Sequence, residues 1–234
     1  GIPPDSDVIV RAVKQGKKVV SEIEAGYWFF DAPIIAITGT NGKTTTTVLI
    51  GEMLKNAGMD VKVCGNVGLA FSEIIPDLTK DSVVVLEVSS FQLDSIEEFK
   101  PRVAVFLNFK EDHLDWHKTS ENYLAAKMKI TVNQNESDLF IYNEDDAEIV
   151  NAAGDVKARK AGFGMIKGEA DEGCYLEGDT IYYYNKEMNE AIINTYEIFI
   201  KGMHNVYNSM AGIIAAKEFG VSDDVIKSTL KTFK

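Results

Sequence analysis

Cysteine is scarce in this chain. Its 234 residues contain two, Cys64 and Cys174, far apart and in no paired motif. They read as reduced structural thiols in a reducing cytoplasm rather than a disulfide framework. Long apolar runs are missing as well. None approaches the roughly 20 residues that a membrane span needs, and no signal-peptide pattern is visible. Basic residues are outnumbered, 24 Lys and Arg against 36 Asp and Glu, for a formal net charge of −12. A broad positive field for non-specific nucleic-acid binding is therefore excluded, while a local basic spot for a phosphate ligand is not. There is no internal repeat and no low-complexity segment. The chain opens "GIPPDSD" without an initiator Met and closes "LKTFK" in a helical pattern without a turn signal. Both ends are expected to be cut.

What is present is ordinary for a soluble globular protein: 45% hydrophobic and 26% charged residues, in a length that suits one large or two small domains. Residues 1–33 read as a connecting piece, with a helical pattern in "SDVIVRAVKQG" that Gly16 stops and a short strand, "KKVV". From Ile34 strands and helices alternate. Ile34 to Thr38, "VKVCGN" from Val61, "SVVVLEV" from Ser82, "VAVFLN" from Val103 and "DLFIYN" from Asp138 read as strands. Thr44 to Ala57, "LAFSEII" from Leu69, "SENYLAAKMKITVN" capped by Ser120, and "EDDAEIVNAAG" ending at Gly154 read as helices. The continuous β-branched run of "SVVVLEV" marks a strand buried on both faces. The pattern then changes: "CYLEGDTIYYY" reads as a hairpin and "TYEIFI" as a further strand. Two helices close the chain, the first stopped by Gly220 and the second capped by Ser222. The fold class is α/β: a mostly parallel sheet flanked by helices, with a phosphate-binding loop and a small antiparallel section.

The loop is "IIAITGTNGKTTTTVLIGEML", from Ile34 to Leu54. A strand, a glycine loop with Gly-Lys-Thr and then a helix form the arrangement that cradles phosphates at a helix N-terminus. Gly39 and Gly42 let the backbone wrap an anion, and the amides of Thr40, Asn41, Gly42, Lys43, Thr44 and Thr45 would face it. Lys43 would sit against the β- and γ-phosphates of ATP, and the Thr44 hydroxyl would reach Mg²⁺. The spacing departs from the general motif: "GTNG" has two residues between glycines where that motif has four, and Ile stands at position 37. The buried strand before it, and the threonines and helix after it, weigh against an incidental glycine-rich turn.

Other residues are candidates by position. Glu87 ends a buried strand, where open α/β sheets bind ligands, and a carboxylate there suits Mg²⁺. Ser89 and Ser90 follow it. His113 sits in an acidic turn, "KEDHLD", as a metal ligand or a solvated loop residue. His117 reads as a surface residue. Lys127 and Lys129 lie on one helix, and an unmodified ammonium beside Mg²⁺ repels the metal. Asn66 follows Gly65 at a strand end. Asn205 and Asn208 lie one turn apart at the start of a helix, beside His204.

"TGTNGKTTT" resembles the ATP-binding loop of the Mur ligase family and its folate-ligase relatives, where the short spacing is usual. The resemblance runs on through "SEIE" at Ser21, "GNVG" at Gly65, "LEVSSFQL" at Leu86, "EDHLDWH" at Glu111, "AAKMKI" at Ala125 and "MHNVYNSMAGIIAA" at Met203. "SEIE" and "LEVSSFQL" look like the branch that adds D-glutamate. The resemblance implies an ATP-dependent ligase joining UDP-N-acetylmuramoyl-L-alanine to D-glutamate through an acyl phosphate, in peptidoglycan synthesis. It implies Glu87, His113 and a carbamylated Lys127 as ligands of two Mg²⁺ ions, with Asp112 and Asp115 orienting His113. It also implies Asn66, Ser89 and Ser90 on the substrate side, and Asn205 and Asn208 on the adenine, with His204 beside them.

Residues 1–32 are then expected to be the tail of a UDP-binding domain and 33–234 a central ATP-binding domain, with an amino-acid-binding domain absent and the piece inactive alone. A monomer with small-molecule partners, and with no nucleic-acid or membrane partner, is expected. Two other readings stay open: a sister ligase adding another amino acid, and a nucleotide-binding module without catalysis.

Overall fold

The computed structural model describes residue 2 and residues 5–66, 68–112 and 114–234. In chain order its elements are α1 (Asp7–Lys14), α2 (Glu22–Tyr27), β1 (Ile34–Thr38), α3 (Lys43–Asn56), β2 (Val61–Gly65), α4 (Phe71–Ile74), β3 (Val83–Glu87), α5 (Ser90–Leu93), β4 (Val103–Phe106), α6 (Leu114–His117), α7 (Ser120–Met128), β5 (Leu139–Asn143), α8 (Ala147–Ala152), β6 (Arg159–Gly164), β7 (Glu172–Glu177), β8 (Thr180–Tyr184), β9 (Asn189–Asn194), α9 (Met203–Glu218) and α10 (Asp223–Thr232).

Among the described residues nine strands form one sheet, in the order β2-β3-β1-β4-β5-β6-β7-β8-β9. From β2 to β7 every neighbouring pair is parallel, and β8 and β9 add antiparallel strands at one edge. Alternate side chains of the strands go to opposite faces. Ile35, Ile37, Val85 and Val105 pack with Leu49 and Ile50 of α3 and Ile213 and Ile214 of α9. Ile34, Ala36, Leu86 and Phe106 pack on the other face with Phe71 of α4, Leu93 of α5 and Ile149 of α8. Two covered faces are why β1 and β3 read as unbroken apolar runs.

The register levels the carboxyl ends of the central strands: Gly65 lies beside Glu87, Glu87 beside Ile37, and Thr38 beside Phe106. From β1 the chain crosses toward β2 at one edge, and from neighbouring β4 it moves the other way, to β5. The crevice between β1 and β4 is therefore the topological switch point, where open α/β sheets bind ligands.

Several local expectations are corrected. "KKVV" (17–20) is not a strand: among the described residues no strand pairs with it. "TYEIFI" is not a strand either. Thr195–Glu197 is a 3-10 turn, boxed by Asn194 and Glu197, and the third antiparallel strand is β9 just before it. Thr119, not Ser120, caps α7, accepting from the Asn122 backbone N–H at 3.2 Å. Strand β6 went unread because Gly162 and Gly164 dilute its pattern. Gly162 leaves room there for the Glu144 carboxylate, which a Cβ at that position would displace.

"SEIE" has a structural role. Ser21 caps α2 through the Glu24 N–H, and Glu24 is 0% exposed. Its carboxylate accepts from the backbone N–H groups of Glu97, Glu98 and Phe99 at 3.0, 2.9 and 2.9 Å and from the Trp28 indole at 2.9 Å. Burial pushes this carboxyl up, but the four donors outweigh it and hold the pKa below its ordinary 4.5. A depressed folded pKa means stability that is present above pH 4.5 and lost as pH falls through the folded value. Glu24→Ala should cost about 1–3 kcal/mol at neutral pH. In urea denaturation, the gap between wild type and variant should close as pH falls below 4.5.

Candidate functional site

The loop between β1 and α3 turns on two glycines. Gly39 has φ +151° and Gly42, at the N-cap of α3, has φ +83° in the left-handed region. A Cβ on Gly42 would come within 2.5 Å of Asn208 Oδ1. Both conformation and space therefore call for glycine. The first turn of α3 leaves the amides of Lys43, Thr44 and Thr45 without intrahelical acceptors, an anion site in waiting. The loop is tied to the segment after β4: Thr40 N–H donates to Asn108 O at 3.0 Å, and Thr40 Oγ1 donates to Lys110 O at 3.1 Å.

Two lysines converge on this loop. Lys43 Nζ donates to the carbonyls of Gly39 and Thr40 at 3.0 and 2.9 Å. Lys127 Nζ, on α7, donates to the same Gly39 carbonyl at 2.8 Å and lies 4.6 Å from the centre of the Tyr123 ring. Lys127 is 1% exposed. Its burial, and then the charge of Lys43, push its pKa down from 10.5 to about 7, against the pull of Asp112. Burial also lowers Lys43, against the pull of Glu87 and Asp112.

Beside them Glu87, 2% exposed, accepts from Thr44 Oγ1 at 2.8 Å on one oxygen and from Asn66 Nδ2 at 3.0 Å on the other. The Asn66 backbone N–H also donates to Glu87 O at 2.9 Å. Carboxylate and hydroxyl oxygens are the hard donors that Mg²⁺ takes. Among the described residues no three His, Cys, Asp or Glu side chains gather as a metal cluster. His113 lies outside the described residues.

A cavity of about 730 Å³ opens beside the loop, between the segments that follow β4 and β5 and the start of α9, lined in part by Gly42, Asn108, Asn143, Asp145, His204 and Asn208. Asn208 is buried, and its Nδ2 donates to Asn205 Oδ1 at 3.1 Å, while Asn205 Nδ2 donates to Lys201 O at 2.9 Å. Tyr207 OH, between them on α9, donates to Asp145 Oδ2 at 2.6 Å and so joins α9 to the end of β5.

Ser89 is engaged locally and Ser90 by a distant helix. Ser89 caps α5 in a reciprocal box with Gln92. Ser90 Oγ lies 2.9 Å from His117 Nε2, in a buried contact. His117 is thus not a surface residue. It is 6% exposed, stacked on Phe91 and tilted against Tyr123 at 5.1 Å between ring centres. Asn108 and His117 are the residues that sequence reasoning missed. The signal for Asn108 is a polar residue just past a buried strand; nothing local marks His117, whose ring partners Phe91 and Tyr123 sit on other helices.

A family model, the Mur ligase middle domain, matches residues 37–216. The chain belongs to the Mur ligase family. It is 43% identical, over its whole length, to the UDP-N-acetylmuramoylalanine–D-glutamate ligase of Thermoanaerobacter sp. (strain X514), covering 51% of that protein. It is 40% identical to the ligase of the same name from Halalkalibacterium halodurans, again over 100% of this chain and 51% of the relative. The chain therefore spans about half the length of the curated relatives it matches. The crystal structure of a murein peptide ligase from Psychrobacter arcticus 273-4 shares the fold, with a TM-score of 0.68 at 20% identity over 99% of this chain and 54% of that one. Among the described residues, no helix of this Mur ligase domain is long and apolar enough to cross a membrane.

The lysine pair gives a pH signature. Between about pH 7 and 10.5 the unfolded chain binds the proton that folded Lys127 has released, so stability rises with pH across that window. In urea denaturation the unfolding free energy of wild type should rise relative to Lys127→Met across it. Parallel pH curves would show that Lys127 is not the titrating group.

Proposed function

We propose that this chain is the ATP-binding part of an enzyme that joins UDP-N-acetylmuramoyl-L-alanine to D-glutamate. The observation that carries the proposal is the meeting of Lys43, Lys127 and the Thr44–Glu87 pair at the β1–β4 switch point. Residues 33–234 would form the nucleotide-binding domain and residues 1–32 the end of a preceding UDP-binding domain. The names of the relatives at 43% and 40% identity support D-glutamate as the amine. The enzyme would act in the cytoplasm, as a monomer, on small molecules. Two buried free thiols are in keeping with a reducing compartment.

In this reading the cavity takes the adenosine of ATP, with Asn205 and Asn208 on the base and His204 at its mouth. The amides from Thr40 to Thr45 turn to the phosphates. Lys43 leaves the Gly39 and Thr40 carbonyls and sits against the β- and γ-phosphates. Thr44 and Glu87 hold Mg²⁺, and Asn66 fixes the Glu87 carboxylate. When bound, the metal would supply positive charge between the phosphates and the acceptor carboxylate. Lys127, released from its proton near neutral pH, adds through nitrogen to CO₂ and becomes a carbamate, with loss of a proton. A cation beside the metal is replaced by an anion with two oxygens. His113, which the family resemblance alone brings in, would complete a second metal site. Ser89 and Asn66 would face the muramoyl substrate, while Ser90, 2% exposed and bonded to His117, would support them from beneath.

The chemistry needs a leaving group, because a free carboxylate is a poor acyl donor. The γ-phosphoryl group passes to the alanyl carboxylate, giving an acyl phosphate and ADP. The D-glutamate amine then attacks the acyl carbon, phosphate leaves and the amine loses a proton. Lys43 acts on the charge that builds between the phosphates.

The test is phosphate release by this chain in its natural polypeptide, with ATP, Mg²⁺, UDP-N-acetylmuramoyl-L-alanine and one amino acid at a time. Release is expected with D-glutamate and not with L-alanine or meso-diaminopimelate. Lys43→Ala should lower it by about 10²–10³ or more, as for loss of one preorganised electrostatic donor. Release with another amino acid would move the enzyme to a sister ligase, and none at all would leave a nucleotide-binding module. Carbon-13 bicarbonate should give a carbamate signal that Lys127→Met lacks.

A further inference from the structure

The loop is two residues shorter between its glycines than the general phosphate-binding pattern. Its middle is held by a side chain from another strand. Asn41 N–H donates to Asn108 Oδ1 at 2.9 Å, and Asn108 Nδ2 donates to Asn41 O at 2.9 Å. The Asn108 amide thus pairs with the backbone of Asn41 as a neighbouring strand would, with both bonds on one residue. The two bonds together also fix which way the Asn108 amide points.

We infer that Asn108 is the positioning residue that completes this shortened loop, by setting the orientation of the two peptide groups that flank Asn41. The inference rests on the reading of the loop as a phosphate site. In a trans peptide the C=O and N–H point in opposite directions. The Asn41 C=O is held toward Asn108, so the Gly42 N–H of the same peptide is turned to the far side, with the amides of the first turn of α3. The Asn41 N–H is likewise held toward Asn108, so the Thr40 C=O faces away from it, and there it accepts from Lys43 Nζ at 2.9 Å. Asn108 and Lys43 grip opposite sides of one peptide group. Without the clamp, peptides next to Gly42 are free to flip, since glycine accepts either sign of φ. A flipped peptide would present a carbonyl oxygen to the phosphates in place of an N–H. Asn108 reaches this position because it lies two residues past the end of β4, which pairs with β1 across the switch point. Its own backbone carbonyl adds a third tie, to Thr40 N–H at 3.0 Å.

The test is calorimetric titration of the 234-residue chain with ATP, ADP and adenosine in the presence of Mg²⁺, for wild type, Asn108→Ala and Asn108→Gln. Wild type should bind ATP and ADP more tightly than adenosine. Equal affinities would overturn the phosphate reading itself, and this inference with it. Given that preference, Asn108→Ala should weaken ATP and ADP by about tenfold or more, the scale of two lost hydrogen bonds, and adenosine, which shares only the cavity wall, by clearly less than either. Asn108→Gln keeps the amide and adds one methylene, so it should match Ala in affinity. It also decides the matter if Asn108→Ala fails to fold. Equal losses for adenosine and ATP, wild-type ATP affinity in Asn108→Ala, or full ATP affinity in Asn108→Gln would each overturn the inference.

Discussion

Two ammonium groups share one carbonyl oxygen, that of Gly39, and the rest of the site follows from that constraint. Two such charges within about 6 Å repel by about 3 kcal/mol at the effective dielectric of a protein site. Lys127 is almost wholly out of water, so hydration cannot relieve it. The lower pKa of Lys127 is one relief, and a nearby anion is the other. A phosphate in the loop would draw Lys43 away from the carbonyls. A carbamate on Lys127 would remove its positive charge. The buried Glu87, already holding Thr44 and Asn66, sets a negative pole beside this positive one.

The scaffold makes such a costly arrangement tolerable. Apolar layers on both faces of the sheet fix β1, β3 and β4 in register, so Glu87 lies level with Ile37 and Phe106 with Thr38, and Asn108 stands two residues further on, beside the loop. The carboxyl-terminal side of β5 adds a second set of ties. Asn143 donates to Leu107 O at 3.1 Å, Asp145 accepts from Tyr207, and Asp146 accepts from Phe109 N–H at 2.7 Å. These bonds hold the walls of the cavity.

The central strands were legible because burial on both faces writes itself as unbroken β-branched runs. Lys43, Thr44 and Glu87 were legible because loop, helix start and strand end have fixed places in such a sheet. The errors have a common cause. "KKVV" and "TYEIFI" have strand composition, but a strand exists only where a neighbour pairs with it, and pairing is not local. Strand β6 has the neighbours without the composition, since Gly162 lies against Glu144 and Gly164 against Asp145. His117 looked like one more residue of an acidic surface turn. Its burial depends on Ser90, 27 positions away. Asn108 was read as the last residue of a strand, and its work is done on Asn41, 67 positions away.

A crystal structure of the chain with Mg²⁺ and a non-hydrolysable ATP analogue would show whether the β1–β4 crevice holds a nucleotide by its phosphates. Phosphate oxygens are expected within hydrogen-bond distance of Gly42 N and Lys43 Nζ, with Lys43 withdrawn from the Thr40 carbonyl. A metal is expected on Thr44 and Glu87, and the base between Asn208 and Asp145. Phosphates elsewhere, or Lys43 still bound to the loop carbonyls with the nucleotide present, would contradict that placement.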